Sequence, residues 1–174
     1  MNTLEAIAKR VSVRNYKPDQ ITEAELQTIL KAGCAAPIAM AQYETLHITV
    51  VQNPEMLKKI YDNATEHVFK VMNVRKNFDF GAPTLILISS APVLRPGMQF
   101  TNSGCVIENM AIAATELGIG SVVLAGAPFA LAENEALQRD LAIPEGFVPV
   151  LGIALGYAAE EEPAKEHTIA VTRI

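Results

Sequence analysis

Thr84-Leu85-Ile86-Leu87-Ile88 is a continuous apolar run between Pro83 and Pro92. A strand with no polar alternation has no face to offer water, so this run predicts a central strand covered on both sides. Asn102 to Leu117 adds a second constraint. It reads as a long helix with Val106, Ile107, Met110, Ala111, Ile112, Ala114 and Leu117 spread over most of its circumference, stopped by Gly118. A helix with so little polar face is enclosed by other elements or by a partner subunit.

The flanking segments alternate helix and strand. Asn2 with Glu5 forms a capping box for a first helix, whose apolar stripe is Leu4, Ile7, Ala8 and Val11. Thr22 with Glu25 forms another, opening a helix with Leu26, Ile29 and Leu30 on one face and a stop near Gly33. His47 to Val51 reads as a strand. Asn53-Pro54 starts a helix with Met56, Leu57, Ile60 and Tyr61 inward. A further helical span, Thr65 to Lys76, carries Val68, Val71, Met72 and Arg75 and is basic at its far end. Ser121 to Ala125 and Val148 to Leu155 read as strands, with a helix from Leu131 to Leu141 between them. Ile169 to Ile174 alternates like an edge strand. The sum is an α+β sandwich, a central sheet with helices on both faces; the pattern leaves the strand order open.

The length of 174 residues suits one domain with a real core. Hydrophobic residues make up 50% of the chain and charged residues 19%, an apolar surplus that points to burial between subunits. The net charge of -5 implies no broad basic face, so no nucleic-acid partner is expected. Cys34 and Cys105 lack a CxxC spacing and read as buried free thiols. His47, His67 and His167 show no metal-ligand spacing, and no metal is expected; His47, within a strand pattern, reads as structural. The opening MNTLEAIAKR mixes acidic and basic residues, unlike a signal peptide. The uncharged run Leu117 to Ala132 is broken by Gly and Pro and falls short of the roughly 20 apolar residues of a membrane span. No membrane association is expected, and a cytoplasmic location is.

Three segments are candidate sites. Arg10-Val11-Ser12-Val13-Arg14-Asn15-Tyr16 places two guanidiniums and a hydroxyl at alternate positions, which share a face in extended chain. They suit a phosphate-bearing ligand, or they are solvated surface arginines. Ala35-Ala36-Pro37-Ile38-Ala39-Met40-Ala41-Gln42 follows a helix with small residues and a proline, fit to lie against a planar ring or to serve as a plain connection. Ala125-Gly126 lies at the carboxyl end of a predicted strand, where ligands often bind in α/β sheets; a tight turn is the other reading. A GxGxxG after a strand, a P-loop and a GxSxG elbow are absent.

Together these segments resemble the nitroreductase family of FMN-dependent oxidoreductases over nearly the whole chain. The likeness rests on the Arg10–Tyr16 heptad, Ala36-Pro37 before a strand, and Gly81-Ala82-Pro83 before the apolar run. It continues through Asn102-Ser103-Gly104-Cys105-Val106-Ile107-Glu108-Asn109-Met110, Glu116-Leu117-Gly118-Ile119-Gly120-Ser121 and Leu151-Gly152-Ile153-Ala154-Leu155-Gly156-Tyr157.

The resemblance implies a three-layer α/β/α sandwich with a mostly antiparallel sheet. It implies one FMN-binding domain over 1–174, whose tail from about 158 extends onto a partner in an exchanged homodimer. Two FMN molecules would lie between the subunits. Arg10, Ser12 and Arg14 would bind the phosphate, the ribityl oxygens or the pyrimidine edge. Pro37, Ile38, Ala39 and Met40 would line the flavin largely from the partner. Asn73 and Lys76 would reach the pyrimidine end, and the backbone of Ala125 and Gly126 would face N5. Arg173, or else Lys165, would complete the phosphate site. The implied activity is ping-pong hydride transfer from NAD(P)H through flavin N5 to a small-molecule acceptor (a nitroaromatic, quinone or similar conjugated compound), with no catalytic side chain. Two departures stand out: Ile38 to Thr45 lacks the family's usual Ser and Gln-Pro-Trp, and Ala91 to Thr101 is short for a lid. The rival readings are a flavin-binding or storage protein with little turnover, and a plain structural domain.

Overall fold

In the computed structural model, which describes residues 1–164 and 166–174, the apolar run becomes strand β2, Thr84–Ser90, buried along its whole length. It pairs antiparallel with β1, Leu46–Val51, on one side and with β4, Val148–Gly156, on the other. The strand β3, Gly120–Leu124, adds to β4, again antiparallel, so the order is β1-β2-β4-β3. Alternation along β2 sorts the two cores. Leu85 and Leu87 face one layer with Val122, Leu124 and Ala154; Ile86 and Ile88 face the other with Ile153 and Leu155.

The first face is covered by helices α3, Pro54–Met72, α5, Gly126–Ala132, and α6, Glu135–Asp140, which contribute Ile60, Tyr61, Leu131 and Leu137. The second is covered by α2, Glu23–Cys34, and α4, Met98–Glu116, through Leu26, Ile29, Ile107 and Met110. The Met110 side chain occupies the space a Cβ on Gly33 would need, which lets α2 and α4 approach closely. Helix α1, Thr3–Lys9, packs outside against α4. The expected three-layer α/β/α arrangement with an antiparallel sheet is the observed one.

The capping boxes form as read. Asn2 Oδ1 accepts from the Glu5 N–H at 3.0 Å, and Thr22 Oγ1 from the Glu25 N–H at 3.3 Å. Several expectations need correction. The Leu4 and Ile7 stripe of α1 faces solvent, and only Ala6 is buried, because a small residue lets this short helix lie flat on α4. No breaker separates Tyr61 from Thr65, so α3 runs unbroken to Met72; Asn73 ends it in the left-handed region at φ 53°. Arg75 and Lys76 therefore lie beyond the helix, and Val71 and Met72 are exposed. The single helix expected from Leu131 to Leu141 is two: α5 begins directly after β3, and Asn134 starts α6 by accepting from the Leu137 N–H at 3.1 Å. Helix α4 begins four positions before Asn102. Ile169–Ile174 forms no strand and is exposed, having no sheet edge beside it in one copy of the chain. Cys34 is exposed and Cys105 half-buried, since the end of α2 carries Cys34 away from the sheet.

Candidate functional site

The Arg10–Tyr16 segment is a strap across one end of the sheet. Its anchors are apolar. Val13 is buried and donates its N–H to the Ser121 carbonyl at 2.9 Å, and Ser12 bridges Ser121 in parallel fashion. The strap lies close because position 120 is glycine; a Cβ there would sit 2.9 Å from Val13 Cγ2. Tyr16 is buried and donates its hydroxyl to the Val13 carbonyl at 2.8 Å. Burial pushes that phenol well above its usual pKa, so it stays a neutral donor. Lys17 N–H closes the strap on the Tyr157 carbonyl at 2.8 Å.

With Val13 turned inward, the neighbouring Ser12 and Arg14 are left outside. Ser12 is half-buried and Arg14 exposed. Arg14 Nη1 donates only to the Ser12 carbonyl, at 3.3 Å, and among the described residues no carboxylate lies within ion-pair distance of its guanidinium. Arg10, which receives the end of α1, has Nε 3.9 Å from Glu108 Oε1, a long contact between partly exposed groups. The strap thus carries two guanidiniums whose donors are largely uncommitted, a donor set that fits a phosphate.

Ala125 and Gly126 stand where β3 passes straight into α5, so the expected loop is a strand-to-helix junction. Gly126 lies five residues beyond Ser121, past the opposite end of β3 from the strap. Phe78 packs against it, and the ring edge takes the place of a Cβ on Gly126. Lys76 Nζ lies 5.6 Å from the centroid of the same ring. Asn73 is exposed at the end of α3, and its main effect in the chain is to cap that helix. Val13, Tyr16, Phe78, Leu124 and Ala127 all belong to the first core. The structure therefore brings the strap, Lys76 and Gly126 to one layer.

It does not bring Pro37–Met40 to them. Ile38 is buried in the second core, and the Ala39 N–H donates to Asn102 Oδ1 at 3.2 Å. Met40 and Ala41 adopt φ of 58° and 54°, and Met40 is 71% exposed. Two consecutive non-glycine residues in that region are strained, and the effect is to hold Met40 outward. Arg173 is exposed in the tail with no ion pair among the described residues, and Lys165 lies outside them. Sequence reasoning missed Phe78 and Asn102. A signal for Phe78 exists: Asn77 and Asp79 fold the chain around it, with the Asp79 N–H on Asn77 Oδ1 at 2.9 Å and the Gly81 N–H on Asp79 Oδ1 at 2.8 Å. Asn102 has no local signal, because its partner lies 63 positions away.

The chain matches the model of the Nitroreductase family over residues 7–157. It is similar to a nitroreductase with bound FMN from Bacteroides fragilis, with a TM-score of 0.86, 32% identity and coverage of 100% of this chain and 99% of that one. It is 32% identical over 168 residues to a protein of Methanothermobacter thermautotrophicus provisionally named an NADH dehydrogenase/NAD(P)H nitroreductase, covering 95% of this chain and 82% of that relative. An NADPH-flavin oxidoreductase of Vibrio harveyi is 26% identical over 176 residues, covering 94% of this chain and 69% of the relative. No helix among the described residues is long and apolar enough to cross a membrane.

Proposed function

The chain belongs to the nitroreductase family, and from that premise we propose that it is an FMN-dependent NAD(P)H oxidoreductase working as a homodimer by a ping-pong cycle. FMN held by the residues of the site would supply the hydride-transfer chemistry between NAD(P)H and a quinone, nitroaromatic or similar conjugated acceptor that would occupy the same place in turn. For a quinone the balance is NAD(P)H, a proton and quinone giving NAD(P)+ and hydroquinone.

The residues of the chain bind and orient. Arg10, Ser12 and Arg14 hold the phosphate and ribityl end, anchored by Val13 and Tyr16. Lys76 places positive charge at the pyrimidine end, where negative charge develops on reduction, and Asn73 adds a polar contact there. The backbone at Ala125 and Gly126 faces N5. Pro37, Ile38, Ala39 and Met40 cover the flavin of the partner subunit. The tail, with Arg173 or Lys165, reaches the phosphate across the dimer. The observation that carries this reading is the uncommitted donor set of the strap. Its complement is the separation of Pro37–Met40, which a second copy remedies; the exposed Leu4, Ile7 and Ile169–Ile174 give that copy an apolar surface to bury.

An absorbance scan of the purified protein tests the cofactor. Anaerobic addition of NADH or NADPH then tests turnover, with bleaching of the flavin bands expected. Protein that binds flavin but does not bleach is a storage protein; protein that ignores added FMN refutes both.

A further inference from the structure

A cavity of about 630 Å³ lies at the end of the sheet where β1 finishes and β2 begins, between the first three turns of α3 and the connection leading into β2. That is a volume a small organic molecule fills. None of the described residues placed at the flavin lines it. Its floor is fixed by side-chain amides. The fully buried Thr84 hydroxyl donates to Gln20 Oε1 and accepts from Gln52 Nε2 at 3.0 Å, while Gln20 Nε2 donates to the Pro83 carbonyl at 2.9 Å. One wall is the turn in which Asp79 Oδ1 accepts from the Gly81 N–H. On the α3 side, Lys58 Nζ and Asp62 Oδ2 pair at 2.6 Å, so their charges offset each other.

Tyr61 breaks this pattern of satisfied groups. It is only 3% exposed, yet among the described residues its hydroxyl has no hydrogen-bond partner. The unpartnered oxygens of Thr49, Ser89 and Ser103 are sealed inside the protein, whereas Tyr61 lines the cavity. Burial holds the phenol neutral by raising its pKa well above the usual value, and the Asp79 charge adds to the rise, so Asp79 and Tyr61 act on the same space. A buried hydroxyl without a partner is costly, and a ligand that pairs it recovers that loss.

We propose that this cavity binds a protonated primary amine with a hydrocarbon body, the ammonium lying between the Asp79 carboxylate and the Tyr61 hydroxyl and the body against Pro18, Pro54 and Leu57. The site is separate from the flavin and does not depend on it. With Lys58 and Asp62 paired, Asp79 leaves the lining one negative charge. An anion would give up its water for a like charge. A calcium ion needs six to eight oxygen ligands, which one uncommitted carboxylate does not supply. An ammonium carries three donors. They match the Asp79 carboxylate, the Tyr61 oxygen and Gln52 Oε1, which accepts nothing else among the described residues.

The test titrates the full chain with three probes of similar shape, 2-phenylethylamine, 2-phenylethanol and 3-phenylpropionate, and reads dissociation constants by NMR. At neutral pH the amine is expected to bind about tenfold more tightly than the alcohol, and the carboxylate more weakly than either. Tyr61→Phe removes only an unpartnered hydroxyl, so its melting temperature holds while amine affinity falls several-fold. Asp79→Asn keeps an oxygen for the Gly81 N–H, so the turn survives and the amine-to-alcohol ratio falls towards one. Should that variant fail to fold, Tyr61→Phe decides alone. No amine binding, an amine-to-alcohol ratio near one in the parent chain, or amine binding untouched by Tyr61→Phe overturns the proposal. So does a lowered melting temperature in Tyr61→Phe, which would show that the hydroxyl already has a partner within the fold.

Discussion

The ring edge of Phe78 fills the space that a Cβ on Gly126 would need. These residues, 48 positions apart in the chain, hold the connection after α3 against the junction of β3 and α5. Through Phe78 the junction also meets Lys76.

Gly126→Ala should therefore act on both stability and cofactor. The added methyl has to displace a ring that is only 6% exposed, an overpacking change of about 1–3 kcal/mol. Urea denaturation should show a lower midpoint at unchanged slope, and flavin content should fall with it. A variant with unchanged midpoint would mean that Phe78 swings away freely.

Arg14→Ala should leave folding intact, because the side chain is exposed and donates only to the Ser12 carbonyl. A charge-assisted hydrogen bond to phosphate is worth about 1.5–3 kcal/mol, so FMN affinity should weaken about 10- to 100-fold by fluorescence titration. Unchanged affinity would remove Arg14 from the phosphate site.

Asn73→Gly separates two roles of one residue. Glycine accepts the left-handed conformation at φ 53° as well as asparagine does, so thermal stability should hold. If the Asn73 side chain also reaches the flavin, cofactor affinity falls while the melting temperature stays put. Retention of both would confine Asn73 to ending α3.

Glu25 sets a pH dependence. Its carboxylate accepts from the Thr22 hydroxyl at 2.7 Å, the Thr22 N–H at 2.7 Å and the Tyr157 hydroxyl at 2.9 Å. These bonds, that of the Thr22 hydroxyl foremost, hold its pKa below the usual glutamate value. A depressed carboxylate stabilises the folded state fully above its unfolded pKa, and that contribution is lost as pH falls through the folded value. Denaturation midpoints from neutral pH down through the carboxylate range should show this slope, and Glu25→Gln should flatten it. Thr22→Ala should cost about 1 kcal/mol near neutral pH, the usual loss for an N-cap.

Much of the fold is legible from short-range pattern. Asn2 with Glu5, Thr22 with Glu25 and Asn53 with Pro54 mark helix starts because a cap needs only a side chain and an N–H three residues on. The Thr84–Ile88 run marks a strand covered on both faces. The α3 end was misread because Asn73 stops a helix through its own backbone angle, which hydrophobic spacing does not report. The division of α5 from α6 was missed because α5 opens at a glycine, Gly126, with no side-chain cap.

By itself, then, the sequence determined the helix starts, the doubly covered strand and the Arg10–Tyr16 strap with its family likeness, since each depends on residues a few positions apart. Only the tertiary structure decided the strand order β1-β2-β4-β3, the seat of Phe78 on Gly126 and the cavity that Gln20 shares with Tyr61 and Asp79. It alone put Ile38 in a different core from the strap, with Met40 held outward. Those relations join residues tens of positions apart, and which of many apolar partners meet is settled by packing the whole chain at once.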